Sequence, residues 1–188
     1  MIQNPINVAR IAILASGLIY ASYRDWIVRE VDDWVWILCG AAAGALTIID
    51  LVYNWSFSLV ILSGISIGLS VGVAFAFYLF GLYGGADAKA IALVSIGLPL
   101  YYPPARLHPF TGLATLSNGL ILSLSLLIAF FIWNVISLAR GRKIFEGFEH
   151  ESRLRKLAAM FLGVRVQDAR RRKFWFPLEA ERDGKRFF

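Results

Sequence analysis

Asp25 and Asp87 are the two residues of this chain whose type and placement suit chemistry. Two carboxyl groups held near one another cannot both ionise cheaply, so such a pair shares a proton and offers a base and an acid together. The ionised member draws a proton from water, and that water attacks a carbonyl carbon. The protonated member polarises the carbonyl oxygen and then protonates the leaving nitrogen. This is peptide hydrolysis that calls for no metal and no cofactor. Other chemistries lack their residues: the sequence has no HExxH, no Cys/His ligand spacing, no G-x-S-x-G and no Walker loop. His108 and His150 are isolated and read as structural or solvated, and the single Cys39 sits in an apolar run where it can form no internal disulfide.

The segments around the two aspartates differ in kind. Gly81-Leu82-Tyr83-Gly84-Gly85-Ala86-Asp87 sets three glycines and an alanine just ahead of the carboxylate. Glycine there permits unusual backbone conformations and lets another chain approach closely. The plainer reading is a tight turn in which Asp87 caps the next helix. Asp25 closes an apolar stretch and opens the short charged loop that runs through Arg29-Glu30-Val31-Asp32-Asp33. Asp32 and Asp33 read as a solvated turn, with Asp33 as the cap of the following helix.

Composition shows what must position these residues. The chain has 188 residues, 58% hydrophobic and 17% charged, where soluble domains average about 45–50% and about 25%. No Asp, Glu, Lys or Arg occurs at positions 51 to 86 or 107 to 139. Each stretch exceeds the ~20 apolar residues that cross a bilayer as helix. Soluble globule, disulfide scaffold, collagen, coiled coil and disordered chain are excluded. Five spans are expected, roughly Ile6 to Tyr23, Trp34 to Tyr53, Phe57 to Tyr83, Asp87 to Tyr101 and Leu116 to Leu138, with a break at Asn54-Trp55-Ser56. The first reads as a span and not as a signal peptide, because the only base near it, Arg10, lies inside the apolar segment.

Two spans separate Asp25 from Asp87, so the chain returns to the face it left and both belong to one side of the membrane. The Lys and Arg distribution orients the molecule. Residues 1–139 sum to −1, whereas residues 140–188 carry 14 of the 19 Lys and Arg and a net +7. With the tail inside, Arg24, Arg29 and Lys89 are inside as well, and only Arg10 and Arg106 point outward. The expectation is a multi-pass cell-membrane protein with its N-terminus outside and its aspartates and tail at the cytoplasmic face. Residues 1–139 form the transmembrane helical domain. Residues 140–188 form a basic cytoplasmic α/β region: a helix near Phe145 to Phe161, strand-forming stretches at Val164 to Val166 and Lys173 to Phe176, and a turn at Asp183-Gly184 before Arg186-Phe187-Phe188. The run Arg170-Arg171-Arg172-Lys173 is expected at lipid headgroups and not on nucleic acid.

The run Asp25-x-x-x-Arg29-Glu30-Val31-x-Asp33-Trp34, followed two spans later by Gly84-Gly85-Ala86-Asp87-Ala88-Lys89, resembles the archaeal type IV prepilin peptidases, including the preflagellin (prearchaellin) peptidases. These are integral-membrane aspartic endopeptidases of the GxGD class. The resemblance covers about residues 5 to 178 and rests on the two motifs together. It implies that Asp25 and Asp87 are catalytic, with Gly84, Gly85, Ala86, Lys89 and Arg29 as motif support or substrate contacts. Ala86 stands where bacterial members have glycine. It further implies substrates of the prearchaellin or type IV prepilin class, cut between a basic leader and a hydrophobic helix, and a sixth span that this sequence does not contain.

The alternative is a small ion-coupled transporter or channel in which Asp25, Asp50 and Asp87 bind or relay ions. Transport predicts carboxylates distributed along the membrane normal and often an internal repeat, whereas the two strongest candidates here share one edge and no repeat is visible. Asp50 is expected at the outer end of the second span, paired with a neighbouring span. Gly64, Gly68 and Gly72 recur every four residues and read as a helix-packing stripe.

Overall fold

The computed structural model describes residues 5–100, 108–166, 178–182 and 185–187. Along them run helices α1 (Pro5–Val28), α2 (Asp33–Tyr53), α3 (Phe57–Leu79), α4 (Gly85–Gly97), α5 (Thr111–Ala139) and α6 (Arg153–Leu162), then strands β1 (Ala180–Arg182) and β2 (Lys185–Phe187). Helices α1, α2, α3 and α5 are long and apolar enough to cross a bilayer, which makes this an all-α polytopic membrane architecture. Ile19, Ile37, Ile48, Ile121 and Leu122 expose large apolar side chains along them, as surfaces that face lipid do.

The fourth expected span is shorter than its apolar run. Helix α4 has 13 residues, roughly 20 Å at 1.5 Å per residue, against a hydrocarbon core of about 30 Å. It stops because Leu98 precedes Pro99, and a residue before proline is pushed out of the helical region. A helix end inside an apolar bundle leaves carbonyls that need donors. Thr47 Oγ on α2 donates to the Gly97 carbonyl at 3.0 Å, and Ser66 Oγ on α3 donates to the Pro99 carbonyl. The end expected at Tyr101 lies outside the described residues.

Two compact units form, Met1–Asn118 and Gly119–Phe188. In the first, α4 is the wedge. Its Leu93 joins Leu14 of α1 and Ala43 of α2 in one apolar cluster, while its Ile91 joins Ala74 of α3 and Leu116 of α5 in another. The seam between α3 and its neighbours is built from small residues. Ser63, Ser66, Ser70 and Ala74 are buried at helical spacing. A Cβ on Gly112 would collide with Ser95 Oγ and lie 2.6 Å from Ser70 Cβ, so only glycine lets α5 start this close. By contrast, Gly64, Gly68 and Gly72 have open space where a Cβ would stand. The packing stripe expected at those glycines falls one face away, on the serines.

In the second unit α6 packs on the last turns of α5. Phe161 stacks on Phe131 with ring centroids 4.4 Å apart, and the buried Asn134 amide donates to the Met160 and Gly163 carbonyls at 2.9 and 2.7 Å. The helix starts later than its expected Phe145. Residues 140–152 form turns instead, with Gly141 and Gly147 at positive φ, and Ser152 caps α6 by accepting the Arg155 N–H. The Gly147 N–H on Glu149, together with the Glu149 backbone, holds the Glu149 carboxyl below the usual carboxylate range. Ala180 pairs with Phe187 and Glu181 with Arg186 in an antiparallel hairpin. The partner of 185–187 is thus 180–182, whereas 164–166 is not strand, and 173–176 lies outside the described residues. The hairpin sits on the preceding turns through His150 against Phe187 and Arg186 over Phe148.

Candidate active site

Four helix ends meet at one pole of the first unit: the last turn of α1, the first of α2, the end of α3 and the start of α4. Helix α1 ends with Arg29, whose N–H reaches the Asp25 carbonyl at 3.0 Å and whose φ is 58°. A non-glycine residue in that left-handed conformation closes the helix sharply and turns the chain at once into α2. Across this corner Arg24 pairs with Asp32 at 3.3 Å, and Tyr20 packs against Trp34. The cap of α2 is Asp32, with Asp33 already in the first turn, so the sequence placed the boundary one residue late.

The α3–α4 junction turns on Gly81, at φ 70°. The Leu82 and Tyr83 N–H groups both return to the Phe77 carbonyl, and Tyr83 meets Phe77 edge-on. Gly84 then caps α4, and Asp87 Oδ2 accepts the Gly84 N–H at 3.1 Å. The plain capping role is therefore present, and the Asp87 carboxylate is also exposed beside it. Gly85 faces Tyr78 at a distance that a Cβ would just fill. Lys89, one turn along α4, pairs with Asp33 of α2 at 2.5 Å.

Helix register sets the level of the two aspartates. On the facing sides of α1 and α4, Leu14 lies against Gly97 and Gly17 near Leu93, so the helices run antiparallel. From the second contact, Asp25 is eight residues along α1 and Asp87 six residues back along α4, roughly 12 and 9 Å of rise. Both carboxylates therefore belong to the same end of the bundle, within about one turn of the same level. Asp25 is exposed. Among the described residues no hydrogen bond joins the two carboxylates.

The remaining polar groups sit nearer the other end. Arg10, on the side of the bundle away from the aspartates, is buried at 6% exposure. It pairs with Asp50 at 2.8 Å, donates to Thr47 Oγ at 3.3 Å and reaches Asn7, and Asn54 adds a hydrogen bond to Asp50 at 2.9 Å. Asp50 thus pairs with a neighbouring helix. Thr47 also links this pair to the end of α4, a connection with no direct sign in the sequence. Two polar residues three apart on α2, Thr47 and Asp50, facing one arginine were the available signal.

Two curated proteins are similar to this chain in sequence. A preflagellin peptidase of Methanococcus maripaludis (strain C6) is 32% identical over 106 residues, 55% of this chain and 43% of its own length. A preflagellin peptidase of Methanocaldococcus jannaschii is 27% identical over 170 residues, 81% of this chain and 65% of its own. The chain is thus similar in sequence to two preflagellin peptidases. The chain spans about half to two thirds of the length of these preflagellin peptidases. No family model and no solved structure matches it.

Proposed function

We propose that this protein is a membrane aspartic endopeptidase that removes the basic leader from prearchaellin or type IV prepilin-like precursors, with Asp25 and Asp87 as its catalytic pair. The observation that carries the reading is the antiparallel register of α1 against α4, which brings the two aspartates to one level. The names of the two relatives supply the substrate class. One carboxylate takes a proton from water as that water attacks the scissile carbonyl, and the other carboxylic acid protonates the leaving nitrogen.

Charge at this end fits such a substrate. Residues 24–33 and 84–89 carry five acids, Asp25, Glu30, Asp32, Asp33 and Asp87, against the three bases Arg24, Arg29 and Lys89. Arg24 and Lys89 are each paired with an acid, so the surplus is negative and favours a basic leader. The precursor's hydrophobic helix stays in the bilayer while the junction ahead of it meets the aspartates. The three bases at this end, Arg24, Arg29 and Lys89, support a cytoplasmic reading of it, with the N-terminus outside. Gly84, Gly85 and Ala86 give the substrate backbone room beside Asp87, and Arg29 and Lys89 hold the loops that flank the pair.

The test is to incubate membranes holding the full chain, Asp25→Asn or Asp87→Asn with a prearchaellin substrate and follow loss of the leader. Cleavage by the unmodified chain and none by either variant at equal expression is expected. Full activity in either variant contradicts the catalytic pair.

A further inference from the structure

Helix α6 leaves most of one apolar face uncovered; on that face only Phe161, at its end, is engaged, stacked on Phe131. Leu154, Leu157 and Leu162 are 79%, 49% and 55% exposed, and Ala158 between them is exposed too. These positions fall on one stripe, at i, i+3, i+4 and i+8. Arg153 and Arg155 stand about 100° to either side of Leu154, and both are exposed. The buried Ala159 lies about 140° from Leu154, beyond Leu162. A helix of this pattern, leucines on one face and arginines along its flanks, is the form that lies in a membrane interface and not across it.

The depth of α6 along α5 points to lipid as the occupant. Asn134 grips the end of α6 through two carbonyls, and Phe131 stacks on Phe161, so α6 is fastened within the last turns of a bilayer-length helix that ends at Ala139. At this level α5 itself exposes Ile132, Trp133 and Ile136, and tryptophan favours the headgroup boundary. The Phe161 end of α6 is therefore level with a surface that faces lipid. Charge agrees, because residues 140–156 carry six Lys and Arg against three Glu.

We propose that α6 lies in the interface of an anionic leaflet, with Leu154, Leu157, Ala158 and Leu162 at the acyl boundary. Arg153 and Arg155 extend their apolar stems along that boundary and deliver guanidinium groups to lipid phosphates. Arg155 keeps one guanidinium nitrogen on Glu151 at 3.2 Å, which fixes the helix start and leaves its other nitrogens for phosphate. This inference is independent of the peptidase reading.

The experiment uses the full chain with Cys39→Ala, one copy per nanodisc of mixed phosphatidylglycerol and phosphatidylcholine. An environment-sensitive fluorophore is attached at Leu154→Cys or Leu157→Cys, both exposed positions whose replacement leaves the packing intact. Nitroxide placed high on the acyl chain should lower the emission roughly twofold or more, as for a helix lying 5–10 Å into the interface. Aqueous iodide should have little effect there, yet should quench the same label at Glu181→Cys on the exposed hairpin. Arg153→Gln combined with Arg155→Gln, or a disc of phosphatidylcholine alone, should reduce the lipid quenching and raise the iodide quenching. Iodide quenching without lipid quenching at Leu154 and Leu157 overturns the proposal. So does protection that appears only with two copies per disc, which makes a second chain the occupant, and so does equal lipid quenching in the presence and absence of anionic lipid.

Discussion

Leu14 of α1 and Gly97 of α4 pack so closely that a Cβ at Gly97 would stand 2.8 Å from the Leu14 Cδ2 atom. The same Cβ would come within 3.0 Å of the Ala43 methyl on α2. One glycine therefore fixes the spacing of three helices, and with it the level at which α4 presents Asp87. Leu14 can swing aside but the Ala43 methyl cannot. Gly97→Val should cost about 1–3 kcal/mol or more through overpacking, read as a lowered Tm in detergent, and Leu14→Ala in the same chain should recover part of the loss.

Glycines on two sides of the bundle should respond oppositely. Gly112→Ala drives a methyl into Ser95 Oγ and Ser70, and its Tm should fall clearly. Gly64→Ala, Gly68→Ala and Gly72→Ala meet open space and gain the helix preference of alanine, worth up to about 1 kcal/mol each. Thermal unfolding of the four variants decides whether the serine face or the glycine face holds α3.

Arg10 and Asp50 form a buried pair, and removing one partner strands the other. Arg10→Met should destabilise by about 3–5 kcal/mol, with Asp50→Asn close behind. Replacing both by apolar residues of similar volume should be milder than either single change. A double-mutant cycle on Tm gives the coupling, and additive losses would mean that the pair contributes nothing of its own.

Lys89 and Asp33 are both exposed, so their ion pair should be worth no more than about 1 kcal/mol. Lys89→Met should leave Tm nearly unchanged. A large fall in leader cleavage at unchanged stability would assign Lys89 to substrate contact and not to the scaffold.

Patterns that depend on chain chemistry alone were legible in the sequence. Neutral apolar runs give bilayer-length helices because every backbone group must be satisfied internally, and the break at Asn54-Trp55-Ser56 separates α2 from α3 as its polarity demands. Features that depend on partners were not. Nothing local marks α4 as short, since its stop at Leu98-Pro99 is tolerable only because Thr47 and Ser66 supply hydroxyls from other helices. A stripe of serines and a stripe of glycines look equally suited to close packing, and tertiary placement chose the serines. The burial of Arg10 was not legible because its partner Asp50 lies on another helix. At the aspartates, spacing gave the helix directions, while the Gly84–Asp87 capping bond was one of two readings that sequence alone left open.

The central claim, that Asp25 and Asp87 share one face, is tested most directly by side-specific labelling. Asp25→Cys and Asp87→Cys are each placed in the Cys39→Ala chain and exposed to an impermeant maleimide in sealed inside-out and right-side-out vesicles. Both cysteines are expected to react in inside-out vesicles and to be protected in right-side-out ones. Reaction of the two from opposite sides contradicts the account.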